Sequence, residues 1–516
     1  MGRGLRSVVG RLLRWLWCLV PVLALALPRD DLRVGLRLEP PVLDPTQTPS
    51  ASAGEMLHLN VLEGLTFVDK MGQVALRLAQ RWAPSPDGLT VDVDLRHGVR
   101  FHDGTPLTAD LVAQRLNTIV APGSTNPQKK WFERLQRAQA TGPLSLRLVL
   151  SAPDPFLRFA LALPAAAIVG PAGPDPELPV GTGPFKLMRW EKGRALHLMR
   201  FEEYWGPRPA LRTVQFVFLS TLAEAESALM EGLIDGLANG AELSAQYVIR
   251  PDLQVSPRRT EQKVLLAINN ARAPLDDLRV RRALNHAIHR AAFGDFYRTP
   301  ERARLIGSHF SPDHPAYVDL SQRYPHDPSQ ARALLRQAGV KPGLTLTLIA
   351  PPMLYARKGG LMIAQDLQAV GLQVNIKPVS WKEWLRQVYE KKDYQLTLIA
   401  HVEPMDINIY ARDDYYFNYR NAEFKALWSQ VMRSRTDAEL YQGLRAAQRK
   451  IADDAVNVFL FMVPQTNVFN RKLDGLWDVS PVPAFALEDA HWRDEDNGGT
   501  SPLSVRPGPA RHQKSP

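Results

Sequence analysis

The sequence is nearly devoid of cysteine, with Cys18 as the single one among 516 residues. Cys18 lies in an apolar run near the N-terminus that we expect to be removed, which would leave a mature chain without cysteine. Disulfides, zinc–thiolate sites and a cysteine nucleophile are thereby excluded for the mature chain. Lipidation at Cys18 is not favoured, because the preceding residues, 15–17, are Trp-Leu-Trp rather than small.

The sequence also lacks the short motifs that mark common catalytic and nucleotide-binding sites. It has no G-x-S-x-G, no H-E-x-x-H, no G-x-G-x-x-G and no Gly-Lys pair of a phosphate loop. His286 and His289 share a predicted helix, but no carboxylate stands at a matching spacing, so solvated or partly buried histidines are the favoured interpretation. His309 and His314 lie in a loop-like stretch, where a metal site is the minor alternative. We predict no catalytic residue, no cofactor and no metal site.

Charge is spread along the chain rather than concentrated. The formal net charge is +10, yet no block of Lys and Arg stands beside interleaved aromatic residues on one short element. This pattern is typical of a solvated surface and argues against nucleic-acid binding. Because 516 residues are too many for one compact core, we expect two or more lobes.

The first 28 residues have the pattern of a secretory signal peptide. Four arginines precede the apolar run 15–27, and no acidic residue occurs before Asp30. This run of 13 residues is shorter than a membrane-spanning helix requires. Ala24 and Ala26 form an A-x-A-like pair, which predicts cleavage near residues 26–28 and a periplasmic location. An uncleaved N-terminal anchor is the alternative.

Helix-like and strand-like segments alternate most clearly between residues 327 and 400. Asp327 is a predicted N-cap, Pro328 occupies the first helical position and Gly339 ends the helix. Predicted strands follow at 344–350, 372–379 and 394–400, separated by predicted helices at 362–370 and 382–390. This succession predicts an α/β fold with parallel strands joined by right-handed crossovers.

Candidate ligand-binding residues follow these three strands. Ligands of open α/β sheets bind outside the carboxyl ends of the strands, so the segments 351–355, 380–381 and 401–406 should lie close together. They offer aromatic faces, two carboxylates and a histidine, and the predicted ligand-binding residues are Tyr355, Trp381, His401, Glu403, Met405 and Asp406. The alternative for each is a structural role, as a core aromatic or a helix cap.

The stretch 181–205 combines strand-like segments with glycine, proline and aromatic residues at their ends. Glycines 181 and 183, which permit unusual backbone angles, precede a strand at 185–190, a tight connection, a strand at 195–201 and an aromatic end. The pattern G-T-G-P-F, about twenty residues and then Y-W closely resembles a signature of family 5 of the extracytoplasmic solute-binding proteins of peptide and nickel ABC importers. Further stretches similar to this family occur at 63–65, 78–82, 87–90, 95–106, 277–284 and 328–339.

The resemblance implies a class II-type periplasmic binding protein, with two lobes, a hinge and an additional α/β domain. It assigns 1–28 to the signal peptide, 29–46 with 177–262 and 470–495 to a discontinuous lobe I, 47–176 to the additional domain, 263–469 to lobe II and 496–516 to a disordered tail. The implied protein is a monomer that captures peptide-like solutes by closure of the lobes and delivers them to an inner-membrane ABC permease. No enzymatic step is implied.

The stretch 401–406 departs from the peptide-binding pattern of this family. Peptide-binding relatives have a Trp-x-x-Asp stretch whose aspartate holds the peptide's α-amino group, and the matching positions here are His401 and Pro404. Asp406 or Glu403, which flank the position, is therefore the predicted partner of a ligand ammonium group, since a buried charge needs such a partner.

Two other features of the resemblance concern the ligand. Trp381 and Tyr355 are predicted to cover its apolar side chains. The stretch 404–406, Pro-Met-Asp, is more similar to the nickel-binding branch. A binder of nickel chelates or of small cationic metabolites such as opines is therefore the alternative, and an enzyme or a sensor on the same fold is a further one.

Overall fold

The structure is a computed structural model that describes residues 29–47, 50–171, 173, 175, 177–239, 250–295 and 303–493. The predicted signal peptide, which contains Cys18, and the predicted tail at 496–516 lie outside the described residues. Within the described ranges, every helix is too short or too polar to cross a bilayer.

The strands are numbered in chain order. They are β1 (Asp31–Leu36), β2 (Thr66–Val68), β3 (Val74–Leu76), β4 (Ala79–Pro84), β5 (Thr90–Leu95), β6 (Leu135–Gly142), β7 (Ser145–Leu150), β8 (Phe185–Glu191), β9 (Ala195–Arg200), β10 (Thr213–Phe218), β11 (Gly236–Leu237), β12 (Leu253–Thr260), β13 (Lys263–Ile268), β14 (Thr345–Ala350), β15 (Gln373–Pro378), β16 (Leu396–His401), β17 (Asn457–Met462), β18 (Gln465–Asn470), β19 (Leu473–Asp474), β20 (Val479–Ser480) and β21 (His491–Trp492).

The α-helices begin at recognisable capping residues in several cases. Their bounds are Ala51–Leu57, Ala109–Val120, Leu157–Ala160, Leu222–Met230, Leu278–Ala287, Pro328–Gln337, Leu354–Ala369, Trp381–Trp384, Ala422–Val431 and Asp437–Asp453. The side chain of Asp327 accepts hydrogen bonds from the amides of Ser329 and Gln330, which confirms the predicted cap of the helix Pro328–Gln337. Such a cap satisfies amides that have no partner within the helix.

Three sheets organise the chain. The first has eight strands in the order β20-β12-β18-β11-β1-β10-β9-β8, the second five in the order β15-β14-β16-β13-β17 and the third four in the order β4-β5-β7-β6. We refer to the parts built on them as lobe I, lobe II and the additional domain, respectively. In lobe I, β1 pairs in parallel with β10 and β11, so the sheet is assembled from segments that are far apart in sequence.

The predicted parallel arrangement in lobe II is confirmed. β14 pairs in parallel with both β15 and β16, so their carboxyl ends lie at one edge of the sheet. The helix predicted at 362–370 begins earlier, at Leu354. Gly359 and Gly360 weaken the helix signal in its first turns, and a Cβ at Gly359 would lie within 3.0 Å of the Leu398 side chain. Tyr355 therefore lies in the first turn of a helix rather than in a loop.

Two chain crossings join lobe I to lobe II. β12 passes into β13 through residues 261–262, and β17 passes into β18 through residues 463–464. The amide of Val463 donates to the carbonyl of Gln262 at 2.8 Å, so the crossings lie side by side. β18 belongs to the eight-stranded sheet, so this crossing, which contains Pro464, precedes the predicted boundary at 469/470. The predicted domain boundaries stay predictions.

The stretch 181–205 forms an antiparallel hairpin, β8 with β9, as predicted. Its first two glycines are required for a reason other than backbone angle, because neither Gly181 nor Gly183 has a positive φ. A Cβ at these positions would overlap the backbone carbonyl of Val61 or of Asn60. The hairpin therefore depends on close packing against the chain at residues 60–61.

Candidate functional site

A cavity lies where the additional domain, the hinge and lobe II meet. Including its mouth, it contains about 490 Å³ of empty space, of which about 30 Å³ can hold water-sized molecules, so the cavity is narrow in this conformation. The residues that line this inter-lobe cavity are Val68, Gly72, Val74, Pro155, Arg158 and Phe159 before the hinge, Glu261 in the hinge, His314, Pro404, Met405, Asp437, Leu440 and Tyr441 in lobe II, and Pro481 near the C-terminus.

The chain bends sharply between β16 and the cavity. Met405 has a left-handed backbone with φ of 61°, and a 3₁₀ turn, Asp406–Ala411, follows it. A non-glycine residue in this conformation costs about 1–2 kcal/mol, so the surrounding packing must hold it. His314 contacts the Met405 sulfur through Nε2. The bend turns Met405 into the cavity while the next residue, Asp406, is buried in lobe II.

The Asp406 carboxylate has three partners inside the protein. Its Oδ1 lies 2.7 Å from His309 Nε2 and 3.5 Å from the ammonium of Lys263, and its Oδ2 lies 3.3 Å from His401 Nδ1. Burial alone would raise the pKa of Asp406, but Lys263 and His309 hold it well below its usual range. Asp406 is therefore an anion whose charge is already compensated.

Tyrosines complete this buried network. His309 Nδ1 lies 3.0 Å from the hydroxyl of Tyr410, and His401 Nε2 lies 2.9 Å from that of Tyr416. Burial lowers the pKa of His309 to about 4, although Asp406 opposes the shift, so this imidazole is neutral at physiological pH. Each ring nitrogen thus has a hydrogen-bond partner.

Three of these groups have the spacing of metal ligands. The ligating atoms of His309, His401 and Asp406 lie within 4.8 Å of one another. However, the Lys263 ammonium is 3.5 Å from the same carboxylate and would repel a cation. The cluster therefore suits a hydrogen-bonded network better than a metal ion.

Lys263 connects the network to the hinge. Its side chain is fully buried and donates hydrogen bonds to the carbonyl of Glu403 at 2.9 Å and to that of Glu261 at 3.4 Å. Glu403 thus contributes a backbone acceptor, while its own side chain points outward and is exposed. A buried lysine with these partners fixes the start of β13 against the stretch that follows β16.

Glu261 is the group that the sequence did not indicate. It lies in the crossing from β12 to β13, lines the cavity and is buried, and its Oε2 has no hydrogen-bond partner among the described residues. Burial raises the pKa of Glu261 to about 7, with Lys263 opposing the shift. A glutamate between two polar residues carries no signal in sequence, and only the position of the hinge could have identified it.

The other predicted site residues are dispersed. Tyr355 packs in the core of lobe II, and its hydroxyl accepts a hydrogen bond from the amide of Ala400 at 3.2 Å. Trp381 is 41% exposed and meets Trp384 edge-on. Of the six predicted residues, Met405 lines the inter-lobe cavity and His401 and Asp406 lie directly behind it. Direct ligand contact by any of the six stays a prediction.

A second, wider groove continues from Met405 between the additional domain and lobe II. It contains about 1260 Å³ of empty space including its open mouth. Its walls include Trp131 and Phe156 on one side and Trp428 on the other, and Phe156 stacks on Trp428 with ring centroids 5.7 Å apart. The two parts of the molecule therefore contact each other through aromatic rings beside the cavity.

Comparison with known proteins places this architecture in a family. The family model with the description "Bacterial extracellular solute-binding proteins, family 5 Middle" matches residues 73–422. The glutathione-binding protein GsiB of Escherichia coli (strain K12) is 24% identical over 457 residues, covering 83% of this chain and 88% of that protein. GsiB of Pectobacterium atrosepticum is 26% identical over 494 residues, covering 87% and 91%.

Solved structures show the same fold. The substrate-binding protein CtaP of Listeria monocytogenes superposes with a TM-score of 0.79 at 21% identity, covering 90% of this chain and 100% of that one. A dipeptide-binding protein of Pseudoalteromonas sp. SM9913 in complex with Met-Leu gives a TM-score of 0.70 at 20% identity, with coverage of 90% and 100%. Since the family model spans well over half of the sequence, this chain belongs to family 5 of the bacterial extracellular solute-binding proteins.

Proposed function

We propose that this protein is the periplasmic solute-binding component of an ABC importer and that it captures peptide-like solutes between its lobes. The observation that carries the proposal is the inter-lobe cavity, which is lined by Glu261 of the first chain crossing and by residues of all three parts of the molecule. A ligand there touches surfaces that separate when the hinge opens. It would therefore favour the closed conformation.

The chemistry of the cavity suits a small zwitterionic solute. Glu261 offers a carboxylate, Arg158 a guanidinium, and Val68, Phe159 and Leu440 offer apolar surface. Two comparisons support a peptide-like ligand, since one group of relatives is named glutathione-binding and one structural neighbour holds Met-Leu. Ordered water can fill the space that a given side chain leaves.

Contacts between the additional domain and lobe II would form on closure. Arg158 lies 3.0 Å from the carboxylate of Asp437, and Phe156 stacks on Trp428. The ion pair is partly exposed and contributes about 1 kcal/mol or less, so it cannot hold the molecule closed by itself. The bound solute then supplies the remaining free energy, the closed monomer docks on the permease, and no chemical step occurs.

A small cationic metabolite is the second candidate ligand. The observation that favours it is Glu261, an anionic group that lines the cavity. A nickel chelate finds less support, because the histidine–aspartate cluster behind the cavity already contains the Lys263 ammonium.

Incubation of the purified protein with a pool of random tripeptides, followed by native mass spectrometry, tests the proposal. We expect one peptide per protein, with an accompanying change in tryptophan fluorescence as Trp428 and Trp131 change their surroundings. Opines and a nickel–histidine complex serve as competitors. Displacement of every peptide by one of these, or failure to capture any peptide, would contradict a peptide-like ligand.

A further inference from the structure

A carboxylate without a hydrogen-bond donor lines the cavity at the hinge. Glu261 is 8% exposed, and the Oε2 atom of its side chain has no partner among the described residues. Buried polar atoms in folded proteins nearly always have a partner, because an atom that loses its hydrogen bonds to water on burial destabilises the fold unless it regains them, and most of all when the group is charged. An atom in this situation, beside an inter-lobe cavity, indicates that a donor is supplied from outside the protein.

The nearest cation does not fill this role. Lys263 Nζ is 3.9 Å from Glu261 Oε2, beyond hydrogen-bond distance. The same ammonium donates at 2.9 Å to the carbonyl of Glu403 and lies 3.5 Å from the Asp406 carboxylate. The Lys263 ammonium therefore compensates the charge of Asp406, and the Glu261 carboxylate is left without a hydrogen-bond donor.

The other charged groups around Glu261 are compensated. Arg158 is paired with Asp437 at 3.0 Å, and Asp313 is paired with Arg304 at 2.8 Å. His314 is neutral, because burial lowers its pKa to about 3. The groups that face or electrostatically influence Glu261 are Lys263, Asp406, Asp313, Arg158, Asp437, His314 and the hydroxyl of Tyr441.

We propose that Glu261 receives the ammonium group of the bound solute, so that tight binding requires a free amino group. The inference rests on the proposed function and adds the position of the ammonium site, which lies on the hinge instead of on Asp406 or Glu403. Asp406 already has one ammonium and two imidazoles around it, and a further cation there would meet Lys263 at close range. The side chain of Glu403 is exposed, so water solvates its charge and it does not need a ligand ammonium group as a partner.

Because Glu261 can bind a proton, we expect ligand binding at the hinge to depend on pH. Burial raises the pKa of Glu261 to about 7 in the ligand-free protein, and a bound ammonium group would lower it again. Below pH 7 the ligand must displace a proton, so its affinity falls by about tenfold for each pH unit. Above about pH 8 the α-amino group of the ligand loses its own proton, so binding should be strongest between these values.

The experiment compares a pool of random tripeptides with the same pool after N-acetylation, using native mass spectrometry at pH 7.5. The wild-type protein should capture the free-amine pool at least tenfold better. Glu261→Gln, which keeps the size and removes the charge, should reduce this preference to about twofold or less. Glu403→Gln is the matched control, with the same substitution on the other predicted carboxylate, and should keep the full preference. Circular dichroism and the melting temperature establish that each variant is folded.

The outcomes separate this inference from the proposed function. If the wild-type protein captures neither pool, the peptide-like ligand is contradicted and the role of Glu261 is withdrawn with it. If it captures both pools equally, or if the preference survives in Glu261→Gln, peptide binding stands and the role of Glu261 is overturned. The wild-type protein provides a second test without any substitution. Capture of the free-amine pool should fall at least tenfold from pH 7.5 to pH 5.5, and constant capture would overturn the inference.

Discussion

At the scale of single residues, several buried charges are arranged in compensated groups, and Glu63 is the clearest example. This fully buried carboxylate accepts hydrogen bonds from the Thr182 and Tyr204 hydroxyls at 2.8 and 2.9 Å and from the Trp205 indole at 3.0 Å. Arg77 Nε donates to it at 2.6 Å. The G-T-G-P-F and Y-W ends of the sequence signature thus meet on one carboxylate, which explains their spacing structurally.

Glu63→Gln should destabilise the protein by about 1.5–3 kcal/mol, because it removes the charge from an acceptor of four buried hydrogen bonds, while Arg77 keeps a second anion in Glu488 at 2.7 Å. Urea unfolding followed by circular dichroism measures this loss. Glu423→Gln, at the exposed ion pair with Lys450, is the matched control and should leave the midpoint unchanged. An unchanged midpoint for Glu63→Gln would show that the network is not needed for stability.

Asp406→Asn should also destabilise the protein, by about 3–5 kcal/mol, because the buried Lys263 ammonium loses its anion. The pKa of Asp406 is depressed, so its contribution is present at neutral pH and is lost as the pH falls below the unfolded value near 4. Urea midpoints at pH 7 and pH 3 should therefore differ less for the variant than for the wild type. Equal differences would contradict the assigned ion pair.

Contacts of this kind, between residues that are far apart in the chain, could not be predicted from the sequence. His401 and Asp406 were selected because they follow a strand, and the structure does place them together. Their partners His309 and Lys263 come from distant segments. His309 was considered only as a possible metal ligand, and nothing in its neighbourhood marks Lys263. Trp381 and Tyr355 were selected by the same rule, but an aromatic residue after a strand packs as readily on the surface or in the core as against a ligand.

At the scale of elements, local signals were reliable where side chains contact the backbone directly. The cap at Asp327, the hairpin of β8 and β9 and the parallel strands β14 to β16 could all be predicted. The start of the helix Leu354–Ala369 could not, because its glycines are accommodated by packing against neighbouring strands. The same limit applies to the bend at Met405, whose left-handed backbone is held by tertiary contacts.

The helix Asp437–Asp453 offers a test at this scale, since it begins in a capping box and carries Asp437 at the inter-lobe cavity. The hydroxyl of Thr436 accepts from the amide of Glu439 at 3.2 Å, and the Glu439 carboxylate accepts from the amide of Thr436 at 3.2 Å. Thr436→Ala should cost about 1 kcal/mol, and Thr436→Ser should cost little because it keeps the hydroxyl. Urea unfolding measures both, and equal losses would show that the methyl group, not the cap, matters.

At the scale of the whole molecule, the discontinuous lobe I explains how a hinge arises. β12 and β18 belong to the lobe I sheet while β13 and β17 belong to that of lobe II, so the chain crosses twice at nearly the same place. Two short crossings that lie side by side and run in opposite directions permit rotation of the lobes with few backbone changes. The chain length and the family resemblance indicated two lobes, but the position of the second crossing required the sheet pairing.

Arg158→Ala should weaken peptide capture by about two- to fivefold, because it removes an ion pair between the additional domain and lobe II that forms on closure. The radius of gyration from small-angle scattering should increase slightly in the ligand-free variant and return to the wild-type value with saturating peptide. Arg81→Ala, in an exposed pair within the additional domain, is the control and should change neither quantity. Unchanged capture by Arg158→Ala would show that closure does not use this contact.

The central claim is that the inter-lobe cavity carries a peptide-like solute. The most direct measurement is native mass spectrometry of the protein isolated from its own periplasm, followed by fragmentation of whatever dissociates from it. We expect one non-covalently bound solute per protein, with a free amino group and at least one peptide bond. A bound metal chelate, a solute without an amino group, or chemical conversion of the captured solute would contradict it.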